Sequence, residues 1–193
     1  MFLKRYNLAL ALLMIAMSIS VACDSGKKAA ATAAISTADT AYSAISDQAQ
    51  KYVPDQAKAV QDTITAAKTS LTNGDYEAAL NSAKDLPGKL KDLAEAIKAK
   101  KDELTAKWNE MSGSMPGLVT AAQAKMDALK KAHKLPAGAA DGMANMKQTW
   151  SDAASAFSSG DLSSAMDKAS AAKEKLTSLQ QMMGMKPAMA ATQ

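Results

Sequence analysis

The chain has 193 residues, 48% of them hydrophobic but only 4% aromatic, so alanine and aliphatic side chains have to fill most of its core. A single cysteine excludes a disulfide framework and a thiolate metal cluster. Of the 23 lysines and arginines, Lys4 and Arg5 lie in a leader; without them 21 bases face 19 acids, which leaves no electrostatic footprint for nucleic acid.

The leader opens on Met1, Phe2, Leu3, Lys4 and Arg5, with two positive charges and no acid. Residues 8–19 are apolar apart from Ser18, and Ser20, Val21, Ala22 and Cys23 follow. A basic start, an apolar run of about 7–15 residues and a small-residue end make a secretory signal, here residues 1–22. A transmembrane helix needs about 20 apolar residues, and Asp24, Ser25, Gly26, Lys27 and Lys28 arrive too soon for that.

The segment Ile19-Ser20-Val21-Ala22-Cys23 resembles the bacterial lipobox, in which a small residue precedes a cysteine that is diacylated and becomes the new N-terminus. The resemblance implies cleavage between Ala22 and Cys23 and a palmitate-bearing lipoprotein, anchored in a membrane of the cell envelope and facing the periplasm. Ser20 departs from the usual aliphatic residue, and Ser20-Val21-Ala22 also fits the small-x-small site of ordinary signal peptidase, so both routes stay open. The position of the lone cysteine favours lipid, because an unlipidated thiol would sit unpaired in an oxidising compartment. Asp24 implies inner-membrane retention under the enterobacterial rule, but other lineages read other positions, and both membranes stay open. Residues 23–28 read as a short tether.

No run of alternating β-branched residues follows, and glycine and proline fall mainly between segments of helical spacing. A first helix is predicted over residues 29–52, with a break at Val53-Pro54. A second runs to residue 71 and meets an Asn73-Gly74 turn. The third, residues 75–111, carries Pro87-Gly88 inside its apolar stripe. Proline removes a backbone hydrogen bond and kinks or breaks a helix. The stripe stays in phase through Leu90, Leu93, Ile97, Leu104, Trp108 and Met111, which predicts a kink, with a break as the alternative. If continuous, this helix would be about 55 Å long. Residues 113–117 read as a linker and 118–134 as a fourth helix, followed by the loop Leu135-Pro136-Ala137-Gly138. A fifth helix is predicted over 140–157, a turn at Gly160, a sixth helix over 161–183 and a flexible tail over 184–193.

Shifting the chain by 86 positions places Asp55, Thr63, Ala67, Gly74, Asp75, Ala79, Ala83, Lys89, Leu90 and Leu93 on identical residues, from Asp141 to Leu179. The apolar stripe Val60, Ile64, Ala67, Leu71 falls on Met146, Trp150, Ala153, Phe157. Repeats of this kind mark duplicated units. Gly74 and Gly160 suit a left-handed helix end, and Asp75 and Asp161 suit N-caps of the helices that follow. The predicted fold is therefore all-α: an elongated antiparallel bundle of about six helices in two related three-helix halves, residues 29–112 and 117–183. Gly74-Asp75-Tyr76-Glu77-Ala78-Ala79-Leu80 resembles the start of the second helix of a tetratricopeptide repeat. That repeat recurs about every 34 residues and the present unit is far longer, so the likeness is to a helical hairpin.

Few residues invite chemistry. His133, the only histidine, lies beside Lys131 and Lys134 at a predicted helix end, where a cation is favoured. The carboxylates Asp102, Glu103, Glu110, Asp127 and Glu174 are interleaved with lysines, as on a solvated helix face. No glycine-rich phosphate loop and no nucleophile–base set occurs. Met182, Met183, Met185 and Met189 crowd the C-terminal end, and thioethers suit Cu(I), yet Met183 also continues the core stripe. Trp108 and Trp150 read as packing anchors, and the lysine-rich stretch 98–107 as a hydrated face. No catalytic, cofactor or metal residue is assigned, and the chain reads as a non-enzyme. Its plan is similar to helical lipoproteins of Gram-negative envelopes, a likeness that confers no activity, and the leading reading is a scaffold or spacer whose partner is an envelope protein or polymer. The alternative is a periplasmic carrier of a small ligand or copper. Ala190, Ala191, Thr192 and Gln193 lack the terminal lysine by which the major outer-membrane lipoprotein joins peptidoglycan, so that attachment is not expected.

Overall fold

A computed structural model describes residues 24–186. The leader, Ala22, Cys23 and Met189 lie outside the described residues. Among those described, the fold is all-α, with five helices: α1 (Asp24–Tyr52), α2 (Pro54–Thr72), α3 (Tyr76–Lys131), α4 (Ala139–Ser158) and α5 (Leu162–Met182). None of them is long and apolar enough to cross a membrane.

Helix α1 begins at Asp24, five residues before the expected start, so residues 24–28 are helical and not a tether. The extra turn is held by the neighbouring helix. Lys27 pairs with Glu77 at 3.2 Å, and the Lys28 ammonium lies 5.9 Å from the centre of the Tyr76 ring. Between α1 and α2 only Val53 intervenes. Pro54 opens α2, where its missing N–H would have had no helical partner.

Helix α3 corrects the expected count of about six helices. It runs unbroken for 56 residues, through Pro87-Gly88 and through the segment 113–117 that was expected to be a linker. The reason is where the breaker residues point. Pro87, Gly88, Gly113, Pro116 and Gly117 are all exposed, while Leu86, Leu90 and Met115 beside them are buried. Packing of the apolar stripe holds the helix across residues of poor propensity, the usual outcome when the two compete. Hydroxyls also follow the helical path, with Ser114 Oγ donating to the Met111 carbonyl and Thr120 Oγ1 to the Pro116 carbonyl.

The chain divides into two compact units, and the boundary falls between Lys98 and Ala99, inside α3 and not at the glycines. In the first unit α1 packs on α2, and α3 up to Lys98 completes the core. Ala31, Ile35, Ala38, Tyr42, Ala57, Ile64, Ala67, Leu86 and Leu93 are buried there. Tyr42 crosses between helices, its hydroxyl donating to the Ala57 carbonyl at 3.2 Å.

In the second unit α4 and α5 form a close hairpin, with the rest of α3 against it. One cluster gathers Met115, Ala122, Met143, Met146, Ala172, Leu176, Leu179 and Met183. Another surrounds Trp108 with Ala153, Ala165 and Ala169. Alanines buried at helix crossings let the backbones approach closely. Gly142 is the tightest such point, since a Cβ there would come within 2.6 Å of Leu179 Cδ1. From Lys98 to Lys107 no residue of α3 is buried.

Candidate functional site

The two hairpin turns have the same construction. Gly74 and Gly160 adopt φ of 81° and 83°, the left-handed region that glycine enters without cost. The Asp75 amide donates to the Ser70 carbonyl at 3.0 Å and the Asp161 amide to the Ala156 carbonyl at 2.9 Å, closing the preceding helix. Each aspartate then accepts from the backbone three residues on, Asp75 Oδ1 from Ala78 and Asp161 Oδ1 from Ser164, both at 3.0 Å. These four residues build turns; they are not gathered into a reactive site. Further along the hairpins, Lys89 donates to Thr63 Oγ1 at 2.9 Å and Lys175 to Thr149 Oγ1 at 2.8 Å. Lys175 also reaches Asn145 Oδ1 at 2.5 Å. These polar rungs escaped the sequence reading, although the matching pairs Thr63/Thr149 and Lys89/Lys175 were its signal.

Trp108 stacks with two rings of α4. Its centroid lies 5.2 Å from that of Trp150 and 4.7 Å from that of Phe157, with interplanar angles of 7° and 10°. Trp108 is buried, and Trp150 and Phe157 are half-buried and packed against the surrounding cluster. The central indole is therefore already stacked and buried, which closes it to a stacking ligand.

Two surface grooves are open to solvent. One, of about 310 Å³, is lined by Gln56, Ala59, Val60, Lys89, Asp92 and Leu93, and the other, of about 330 Å³, by Val119, Thr120, Gln123, Ala124, Asp127 and Lys147. In the second, Lys147 donates to Gln123 Oε1 and Gln123 Nε2 to Asp127 Oδ1. Its polar groups thus satisfy one another and do not converge on a void.

Among the described residues, Gln180 is the one polar or charged residue classed as buried, and no three histidine, cysteine or acidic side chains group as metal ligands. Met183 is packed in the core beside Leu179, whereas Met182 stands exposed. Glu103 accepts from Lys107 at 2.5 Å and from Lys100 at 3.0 Å, and these hydrogen bonds hold its carboxyl below the usual range. His133 is exposed, at the end of α3, with φ of 55°. Its amide donates to the Lys130 carbonyl and that of Lys134 to the Leu129 carbonyl, a helix-ending pattern in which glycine is the common residue.

The chain matches no family model, no curated protein and no solved structure. Its functional reading rests on its own residues.

Proposed function

We propose that the protein is a non-enzymatic lipoprotein of the bacterial cell envelope, held to a membrane by lipid on Cys23, whose helical body serves as a scaffold or spacer for an envelope partner. The observation that carries the role of the body is its filled interior. Ala31, Ala49, Ala67 and Ala79 in one unit, and Ala122, Ala139, Ala153, Ala165, Ala169 and Ala172 in the other, have essentially no exposure. Seams of this kind leave little room for a cargo. Both grooves are open, and the polar groups of the second pair with one another, which also supports a surface role over a carrier role. Because α1 begins at Asp24, a lipid on Cys23 would sit directly at the first helical turn. That favours a body held close to its bilayer.

The reading includes descent of both units from one three-helix ancestor. Supporting it are the turns and lysine–threonine rungs that recur 86 residues apart. The remaining helix of each unit adds to this at a spacing of 84. Ala31, Ile35, Ala38, Tyr42 and Ile45 of α1 correspond to Met115, Val119, Ala122, Met126 and Leu129 of α3, all buried or half-buried. The two-residue difference is absorbed where the connections differ, Val53 alone in one unit and residues 132–138 in the other.

The test is fractionation and crosslinking in intact cells, comparing wild type with Cys23→Ala. Wild type is expected in the membrane fraction with a crosslinked envelope partner, and Cys23→Ala in the soluble fraction. Failure to recover a partner with either form would remove the scaffold role.

A further inference from the structure

The second unit has one end that gathers exposed lysines. There the last turn of α3, the loop to α4 and the end of α5 come together, since Met126 and Leu129 of α3, Met143 of α4, and Met183 and Met185 after α5 share one cluster. Gly184, at φ 69°, turns the chain so that the Met185 amide donates to the Gln180 carbonyl, which folds Met185 back onto the cluster. Around this end stand Lys130, Lys131, Lys134 and Lys186, all exposed. Among the described residues none of the four has an ion pair or hydrogen bond through its side chain, as holds too for Lys125, Lys168 and Lys173, whereas Lys27, Lys58, Lys68 and Lys107 each pair with a carboxylate. The carboxylates closest in sequence are Asp127, which accepts from Gln123, and Asp141 in the first turn of α4. Within the same end, Met182 is a large apolar side chain left 51% exposed, and Leu135 and Pro136 are half-buried.

We propose that this end of the second unit docks on an anionic lipid bilayer, the four lysines meeting phosphate headgroups and Met182 entering the headgroup region. Lysines next to an anionic surface add roughly fivefold each to partitioning, so four together make a contact worth hundreds-fold. An exposed thioether among them distinguishes a bilayer from a soluble polyanion, because only the bilayer offers an apolar phase. The contact is independent of the lipid on Cys23 and would give the body a second membrane attachment.

The test is co-sedimentation of residues 23–193 carrying Cys23→Ser, which retains every helix, with phosphatidylcholine vesicles and with equal phosphatidylglycerol–phosphatidylcholine vesicles. Binding is expected to the anionic vesicles alone and to fade as salt is raised past the point where the screening length falls to a few ångströms. Replacing Lys130, Lys131, Lys134 and Lys186 with Gln together should reduce it by about two orders of magnitude. The same number of Lys→Gln changes at Lys58, Lys84, Lys91 and Lys168 should leave it within a fewfold, and Met182→Ser should weaken it severalfold. Absence of binding to anionic vesicles, or equal losses in the two lysine sets, would overturn the proposal. So would binding of long-chain polyphosphate as tight as that of vesicles with Met182→Ser without effect, which would assign the patch to a polyanionic polymer. Failure of Cys23 lipidation in cells would leave this result unchanged.

Discussion

His133 ends α3 in a backbone conformation that costs a side-chain-bearing residue about 1–2 kcal/mol relative to glycine. His133→Gly is therefore expected to raise stability by about 1 kcal/mol, a little of the gain being offset by the freer unfolded chain. Urea unfolding checks it; an unchanged or lower midpoint would contradict the strain. At the other turns the balance reverses, because Asp75 and Asp161 each satisfy a free amide at the start of a helix. Asp75→Ala and Asp161→Ala should each cost about 1 kcal/mol, and similar losses from both are expected from their matching cap hydrogen bonds. Glu103 gives a pH signature. Its carboxyl is held below the usual range by Lys107 and Lys100, so the ion pairs favour the helix above the unfolded carboxylate pKa and are lost as pH falls through the lower folded value. Carboxyl carbon shifts in NMR should titrate below those of an isolated glutamate, and Lys107→Ala should move the midpoint upward.

Helix α3 shows how local punctuation loses to packing. Gly113, Pro116 and Gly117 read in one dimension as a linker, and Pro87-Gly88 as a kink or a break; the helix runs unbroken through both, against the linker and the break. The stripe of Leu86, Leu90, Leu93 and Ile97, which the sequence displays, was the better guide. A proline inside a helix costs about 3 kcal/mol against alanine. Since Pro87 is exposed, Pro87→Ala should restore a backbone donor without disturbing the core and raise stability by about 2 kcal/mol, again by urea unfolding. A loss of stability would mean that the packing depends on the proline. The Gly-Asp turns were legible because glycine and aspartate each have one strong local reason to be there. The stacking of Trp108 was not, since Phe157 meets Trp108 only when α4 lies on α3. The early start of α1 was hidden for the same reason, resting on Glu77 and Tyr76 far along the chain.

For the molecule as a whole, composition and periodicity disclosed an all-helical, alanine-packed body, while the residue pattern ending at Cys23 resembles a lipobox. Bulk charge hid the basic end of the second unit. Without Lys4 and Arg5 the chain is nearly neutral, and the four lysines belong to segments that meet only in the fold. Attachment of the proposed body through lipid on Cys23 can be read from the intact mass of the chain extracted from its own membranes. The expected species is a polypeptide beginning at Cys23 with a diacylglyceryl group on its sulfur. A chain beginning at Cys23 with a free thiol, or one that retains residues 1–22, would contradict it.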